Sequence, residues 1–168
     1  MSLKTVTDTI LSVARMQPTV NAAYEGDVYR IMGGNPSQKY ATVVLTQTQH
    51  QETEMFMRYN FTIFYVDRLV DNLETNRLQI QSTGIDVLSN ILRYIVNQYD
   101  WEIVNKTYNT FTEKFPDECA GAYANLEIEV PIDYLCSDDD GGLVPTLEIN
   151  ENGIYEINGM TVKVDIGG

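Results

Sequence analysis

The sequence predicts an α+β fold: a mainly antiparallel sheet of about four or five strands, two helices packed on one face, and a small C-terminal β-meander. Three stretches carry this expectation. Met55–Val66, MFMRYNFTIFYV, alternates with period two. Met55, Met57, Tyr59, Phe61, Ile63 and Tyr65 fall on one strand face; Phe56, Arg58, Asn60, Thr62, Phe64 and Val66 fall on the other. Ala120–Val130, AGAYANLEIEV, alternates as cleanly: Ala122, Ala124, Leu126, Ile128 and Val130 face one way, Tyr123, Asn125, Glu127 and Glu129 the other. Between them, Ile85–Gln98 repeats Leu88, Ile91, Leu92, Ile95 and Val96 at helical spacing.

Taken in order, Thr5–Met16 reads as an amphipathic helix, with Leu3, Val6, Ile10, Val13 and Ala14 three and four residues apart. Gln17-Pro18 ends it, because proline cannot extend the hydrogen-bond ladder. Tyr24, Val28, Tyr29 and Ile31 suit a short strand, and Gly33-Gly34-Asn35-Pro36-Ser37 is a loop by composition. Tyr40–Thr46 is rich in β-branched residues and should be a strand. The polar Gln47–Glu54 then leads into Met55–Val66, so the two strands read as a hairpin. With neither Gly nor Pro at its tip, a tight turn is not specified. The polar segment either prolongs both strands or loops out. The long strand would span roughly 40 Å at ~3.4 Å per residue, about twice the usual length. Some four or five residues at its polar end are therefore expected to lack an internal partner and to be covered by a second copy.

A helix follows. Either it begins at Asp71, where Asp71 and Glu74 have capping-box spacing, or Leu78 and Ile80 are extended and Ser82 caps a helix from Thr83. Trp101–Thr112 suggests a strand, Phe111–Pro116 the turn after it, and Pro131 ends the strand that follows. The organisation expected is a domain over 1–136, an acidic, glycine-ended linker over 137–146 and a meander over 147–168. In the meander, Asn152-Gly153 and Asn158-Gly159 are hairpin-turn signals.

Composition narrows the function classes. The 168 residues are 43% hydrophobic, enough for one cored domain with an appendage. No run of 18 apolar residues marks a membrane span, and polar residues interrupt any leader-like core near the N-terminus. The net charge of −13 is uneven: residues 1–112 hold 11 acids and 9 bases, residues 113–168 hold 13 and 2. Direct nucleic-acid binding needs clustered Lys and Arg and is not expected. An acidic surface at Glu127, Glu129, Asp138, Asp139 and Asp140 would instead repel DNA passing nearby; the simpler reading is solubility.

No catalytic, cofactor or metal site is expected. Asp138–Asp140 lacks the alternate ligand spacing of a calcium loop. Glu113, Asp117 and Glu118 near Cys119 are the background of an acidic chain, and Cys119 would need a base although the single histidine, His50, lies far away in sequence. Cys119 and Cys136, 17 residues apart, allow a disulfide without indicating one, with reduced thiols the default, and two cysteines with one histidine are too few ligands for zinc. Gly33-Gly34 is followed by neither the Lys nor the helix of a phosphate loop.

The order of elements resembles the tail-terminator and tail-completion proteins of long-tailed bacteriophages and prophages, over roughly residues 3–130. FYVDRL, NRLQIQSTGIDVL and YNTFTEKFPDECAGAYANLEIEV look like segments of phage tail-region proteins from gut Bacteroides-type hosts. Residues 147–166, LEINENGIYEINGMTVKVDI, are similar to a short β module with an ENG-x-Y core, here Glu151–Tyr155, that recurs in phage and gut-bacterial surface or structural proteins. The minimal terminator pattern lacks such a meander. The resemblance implies a non-enzymatic virion protein that forms a ring, usually hexameric, at the head–tail junction. Its partners would be further copies of itself, tail-tube proteins and head-completion proteins, with no membrane. Its place would be the virion, and the host cytoplasm during assembly. Met55, Met57, Tyr59 and His50 are the residues expected at the contact between copies. The rival readings are a binding or adhesion module of a gut bacterium, or another tail or neck component.

Overall fold

A computed structural model describes residues 2–33, 39–70, 76–112 and 117–132, and the backbone of 113–114, 148–149, 154–157 and 160–163. The chain divides into two compact units, Met1–Ile132 and Asp133–Gly168. The first is α+β: a five-stranded, mostly antiparallel sheet with helices against it.

Helix α1 spans Leu3–Arg15 and begins two residues earlier than Thr5 because Ser2 caps it, its Oγ accepting from the Thr5 amide at 3.2 Å. Its buried face is Val6, Thr7, Ile10, Leu11, Val13 and Ala14. The strand expected across Tyr24–Ile31 is instead two elements, β1 (Ala22–Glu25) and the short α2 (Val28–Gly33). Gly26 turns the chain at φ +138°, and the Asp27 carboxylate accepts from the Arg30 amide at 2.9 Å, which starts a helix rather than continuing a strand. Of the loop expected over Gly33–Ser37, Gly33 is instead the last residue of α2 and the rest lies outside the described residues.

Strands β2 (Thr42–Glu52) and β3 (Phe56–Arg68) form the hairpin. Helix α3 (Arg77–Gln98) follows, then β4 (Glu102–Lys114) and β5 (Glu118–Pro131). The sheet order is β1-β2-β3-β5-β4, with β1 parallel to β2 and every other pair antiparallel. Helix α3 starts between the two expected positions, with Asn76 before it; Asp71 and Glu74 lie outside the described residues. Strand β4 runs on through Phe111, which was expected in a turn.

The long strand has its partners inside the chain. Strand β3 pairs with β5 along its whole length, Phe56 opposite Pro131 and Arg68 opposite Cys119. On its other side β2 runs past Thr46 to Glu52, which lies opposite Met57. The unmatched residues expected at the polar end are therefore matched: Gln47–Glu52 is strand, with a register shift between Gln47 and His50.

Alternation divides the core. Helices α1 and α3 cover one face, where Val6, Ile10, Leu88 and Ile91 share a cluster with Tyr59, Phe61, Ile63, Tyr65 and Ile128. Helix α2 lies against the other, where Val28 and Met32 join Val44, Val66 and Cys119. Two glycines set how closely these layers approach. A Cβ on Gly84 of α3 would stand 2.9 Å from the Tyr65 ring and 3.0 Å from the Ala122 methyl. A Cβ on Gly121 would stand 1.9 Å from the Tyr65 carbonyl oxygen.

In the second unit β6 (Glu148–Ile149), β7 (Ile154–Ile157) and β8 (Met160–Lys163) form an antiparallel meander in that order. Its Asn-Gly turns, the 137–146 linker and Cys136 lie outside the described residues.

Candidate interaction surface

The hairpin tip is closed by Thr53. Its amide and hydroxyl both donate to the Phe56 carbonyl, at 2.9 and 2.8 Å, and its hydroxyl oxygen accepts from the Phe56 amide at 3.0 Å. Only Glu54 and Met55 lie between, so the turn is tight without Gly or Pro. The Ile132 amide donates to the Met55 carbonyl at 3.0 Å, which ties the end of β5 to the tip. Met55 is 66% exposed, the half-buried Phe56, Pro131 and Ile132 are near it, and Glu52 and Glu54 are exposed beside it. An apolar side chain thus projects from an acidic tip.

The other residues expected at a contact between copies lie elsewhere. Met57 is half-buried against the protein's own core. Tyr59, 4% exposed, belongs to that core and offers no surface to a partner, because α1 and α3 cover the face it lies on; this corrects the expectation for it. His50 is half-buried, its ring 5.4 Å from that of Tyr59 and 5.8 Å from that of Phe61. Its Nδ1 accepts from the Asn60 amide at 3.4 Å, and burial lowers its pKa below the ordinary 6.5. His50 therefore supports the hairpin from within.

The expected acidic surface is also changed. Arg58 donates through Nε to Glu129 and lies 3.6 Å from Glu127, so both carboxylates share one guanidinium across β3 and β5. The Glu129 side chain is only 12% exposed. These two glutamates are paired rather than presented as a bare negative wall. Asp138, Asp139 and Asp140 lie outside the described residues.

On the α2 side of the sheet lies a cleft of about 420 Å³, lined by Val28, Tyr29, Phe64, Phe111 and Tyr123, with Thr62 and Asn125 at its polar end. Phe64 and Tyr123 hold their ring centres 5.5 Å apart, and Phe64 meets Phe111 edge-on at 6.3 Å. The Thr62 and Asn125 side chains hydrogen-bond at 2.9 Å. Sequence reasoning missed this cleft. The alternation of β5 did place Tyr123 and Asn125 together on the outward face, but Phe111 was expected in a turn and Tyr29 in a strand.

A third cluster gathers where β3 ends and β5 begins. Asp117 accepts from the Tyr40 hydroxyl at 3.3 Å and pairs with Arg68 at 3.2 Å. Burial, first among its causes, pushes the Tyr40 phenol up, and burial also raises Asp67 and the Cys119 thiol. A thiol held protonated is a poor nucleophile. His50 offers it no base: Tyr59 beside His50 pairs with Ile128, nine residues along β5 from Cys119, or about 30 Å at ~3.4 Å per residue. The cluster reads as a latch between strands. Among the described residues no group of three His, Cys, Asp or Glu is placed to hold a metal ion, and no helix is long and apolar enough to cross a membrane.

What the fold and these surfaces define is a five-stranded α+β protein with an exposed apolar hairpin tip and an aromatic cleft. No protein-family model matches the chain, and no curated protein matches it.

Proposed function

We propose that this chain is a structural subunit of a bacteriophage tail, a tail-terminator or tail-completion protein whose copies pack into a ring at the head–tail junction. The observation that carries the reading is the hairpin tip. Met55 is held out in solvent on a turn locked by Thr53 and tied to β5, so its exposure belongs to a well-paired structure and not to a frayed end. With the half-buried Phe56, Pro131 and Ile132 near it, Met55 belongs to an apolar patch, and it is a contiguous patch rather than a lone side chain that suits a contact. The order of elements and the resemblance of Phe64–Val130 to tail-region segments support the same reading. In it the protein has no catalytic role, its partners are its own copies and the tail-tube and head-completion proteins, and it works in the virion and, during assembly, in the host cytoplasm.

Native mass spectrometry and negative-stain microscopy of the full chain over rising concentration test this. The expected result is one closed ring of identical copies. A chain that stays monomeric up to about 1 mM, where a contact worth only ~4 kcal/mol would already show, sinks the reading.

The cleft favours a second reading, a binding module that takes a small apolar or aromatic ligand, since its volume falls within the range of about 300–1,000 Å³ common to ligand sites. A monomer whose Tyr123 resonances shift with such a ligand would favour it.

A further inference from the structure

We propose that the His50 ring is a pH-sensitive catch on the hairpin: neutral, it closes a bulge between β2 and β3, and protonated, it releases the outer end of β2 over Thr48–Glu52. The inference concerns the single chain and stands whatever the hairpin tip contacts.

The bulge is visible in the register. Gln47 lies opposite Phe61 and His50 opposite Tyr59, so Thr48 and Gln49 share the place that faces Asn60 alone. An extra residue interrupts the ladder locally, and a backbone N–H left there without an acceptor costs free energy. Here the Asn60 amide donates to Nδ1 of His50 at 3.4 Å, so an imidazole nitrogen stands in for the strand carbonyl. That bond exists in one charge state only. A neutral ring with its proton on Nε2 accepts at Nδ1, whereas a doubly protonated ring has only donors. Protonation sets one N–H against another and leaves the Asn60 amide unpaired. It also places a charge on a half-buried ring, 5.4 Å from the ring of Tyr59 and 5.8 Å from that of Phe61. The outer end of β2 is the part free to respond. Strand β1 follows β2 only as far as Leu45, and beyond Gln47 the strand partner of β2 among the described residues is β3 alone. Strand β3 itself is paired with β5 throughout. The ionisable groups around the ring are Tyr59 on β3, Glu52 two residues along β2, and Lys4 and Asp8 of α1 with Glu25 of β1, which gather about Gln47. Burial lowers the ring's pKa below 6.5 in the closed hairpin. The catch therefore holds above 6.5 and lets go as pH falls below it.

The chain has one histidine, which makes the test direct. Amide hydrogen exchange of the full chain is followed by NMR between about pH 7.5 and 5.5, with each rate corrected for the pH dependence of exchange itself. Protection at Asn60 and His50–Glu52 is expected to fall at least about twofold as the ring takes up its proton, while protection at Val44 and Ile63 holds. The imidazole nitrogen shifts at about pH 7.5 should show Nδ1 unprotonated. His50→Asn sets an amide oxygen where Nδ1 stands and takes up no proton, so its protection should stay level with pH. His50→Ala removes the acceptor and should lose protection at both ends of the range. A ring that carries its proton on Nδ1 at the higher pH overturns the inference. So does wild-type protection that ignores pH, an equal fall at Val44 and Ile63, or an equal fall in His50→Asn. The ring shifts and the wild-type profile decide the matter even where a variant fails to fold.

Discussion

Gly84 and Gly121 are the residues whose side chains matter most by being absent. In an exposed helix, Gly to Ala gains up to about 1 kcal/mol. At Gly84 the added methyl meets the Tyr65 ring at 2.9 Å and the Ala122 backbone nitrogen at 3.2 Å, so Gly84→Ala is expected to destabilise by about 1–3 kcal/mol in urea unfolding. Gly121→Ala places its methyl 1.9 Å from a backbone oxygen, which cannot yield without breaking the β3–β5 ladder, and should cost about 3 kcal/mol or more. Equal, small effects at both sites would show that the layers are less closely packed than described. His50 gives a prediction in pH. Burial keeps its pKa below the 6.5 it has when unfolded. The unfolded chain then takes up the proton more readily, so stability is full above 6.5 and falls as pH drops through 6.5 toward the folded pKa. His50→Gln should remove that part of the slope. Parallel melting curves of the two proteins between about pH 8 and 5.5 would contradict it.

The hairpin shows at the scale of elements why part of the fold was legible and part was not. Met55–Val66 and Ala120–Val130 announced themselves because each buries one face, and burial writes period two into the sequence. Gln47–Glu52 did not, since its side chains are mostly exposed and its pairing comes from backbone groups that every sequence has. The turn was equally silent, because a threonine hydroxyl takes the place of the usual Asn-Gly signal. Thr53→Val keeps the shape and removes the two side-chain hydrogen bonds to Phe56. It should destabilise by about 1–2 kcal/mol, near 1 kcal/mol for each bond lost, and raise amide exchange at Phe56 and Ile132. Unchanged exchange there would mean that the turn holds without the hydroxyl. Helix α2 hid for a related reason: six residues are too few to show a period, and only Asp27 after Gly26 signalled a start.

For the whole molecule, the two described core clusters draw on residues from Val6 to Val130. A chain ending at Ile132 is therefore expected to unfold in one cooperative transition with its Tm within about 4 °C of the full chain's, as read by calorimetry. A broad or missing transition would show that Asp133–Gly168 completes the first unit. The sequence by itself determined the α+β class, the long central strand, the principal helix and the C-terminal meander, because those elements bury or turn in ways that demand particular side chains. Only the tertiary structure decided what the long strand pairs with and which of its residues remain outside. Tyr59 and Met55 look alike in the apolar alternation of the sequence, yet one is 4% exposed and the other 66%. The difference is that Tyr59 lies within β3, in the core it shares with residues of α1 and α3, while Met55 lies in the turn before that strand. Likewise, Glu127 and Glu129 read as free charge until the ladder placed Arg58 across from them. Period and composition record what one residue needs from its surroundings; which distant residue supplies it is settled only when the strands meet.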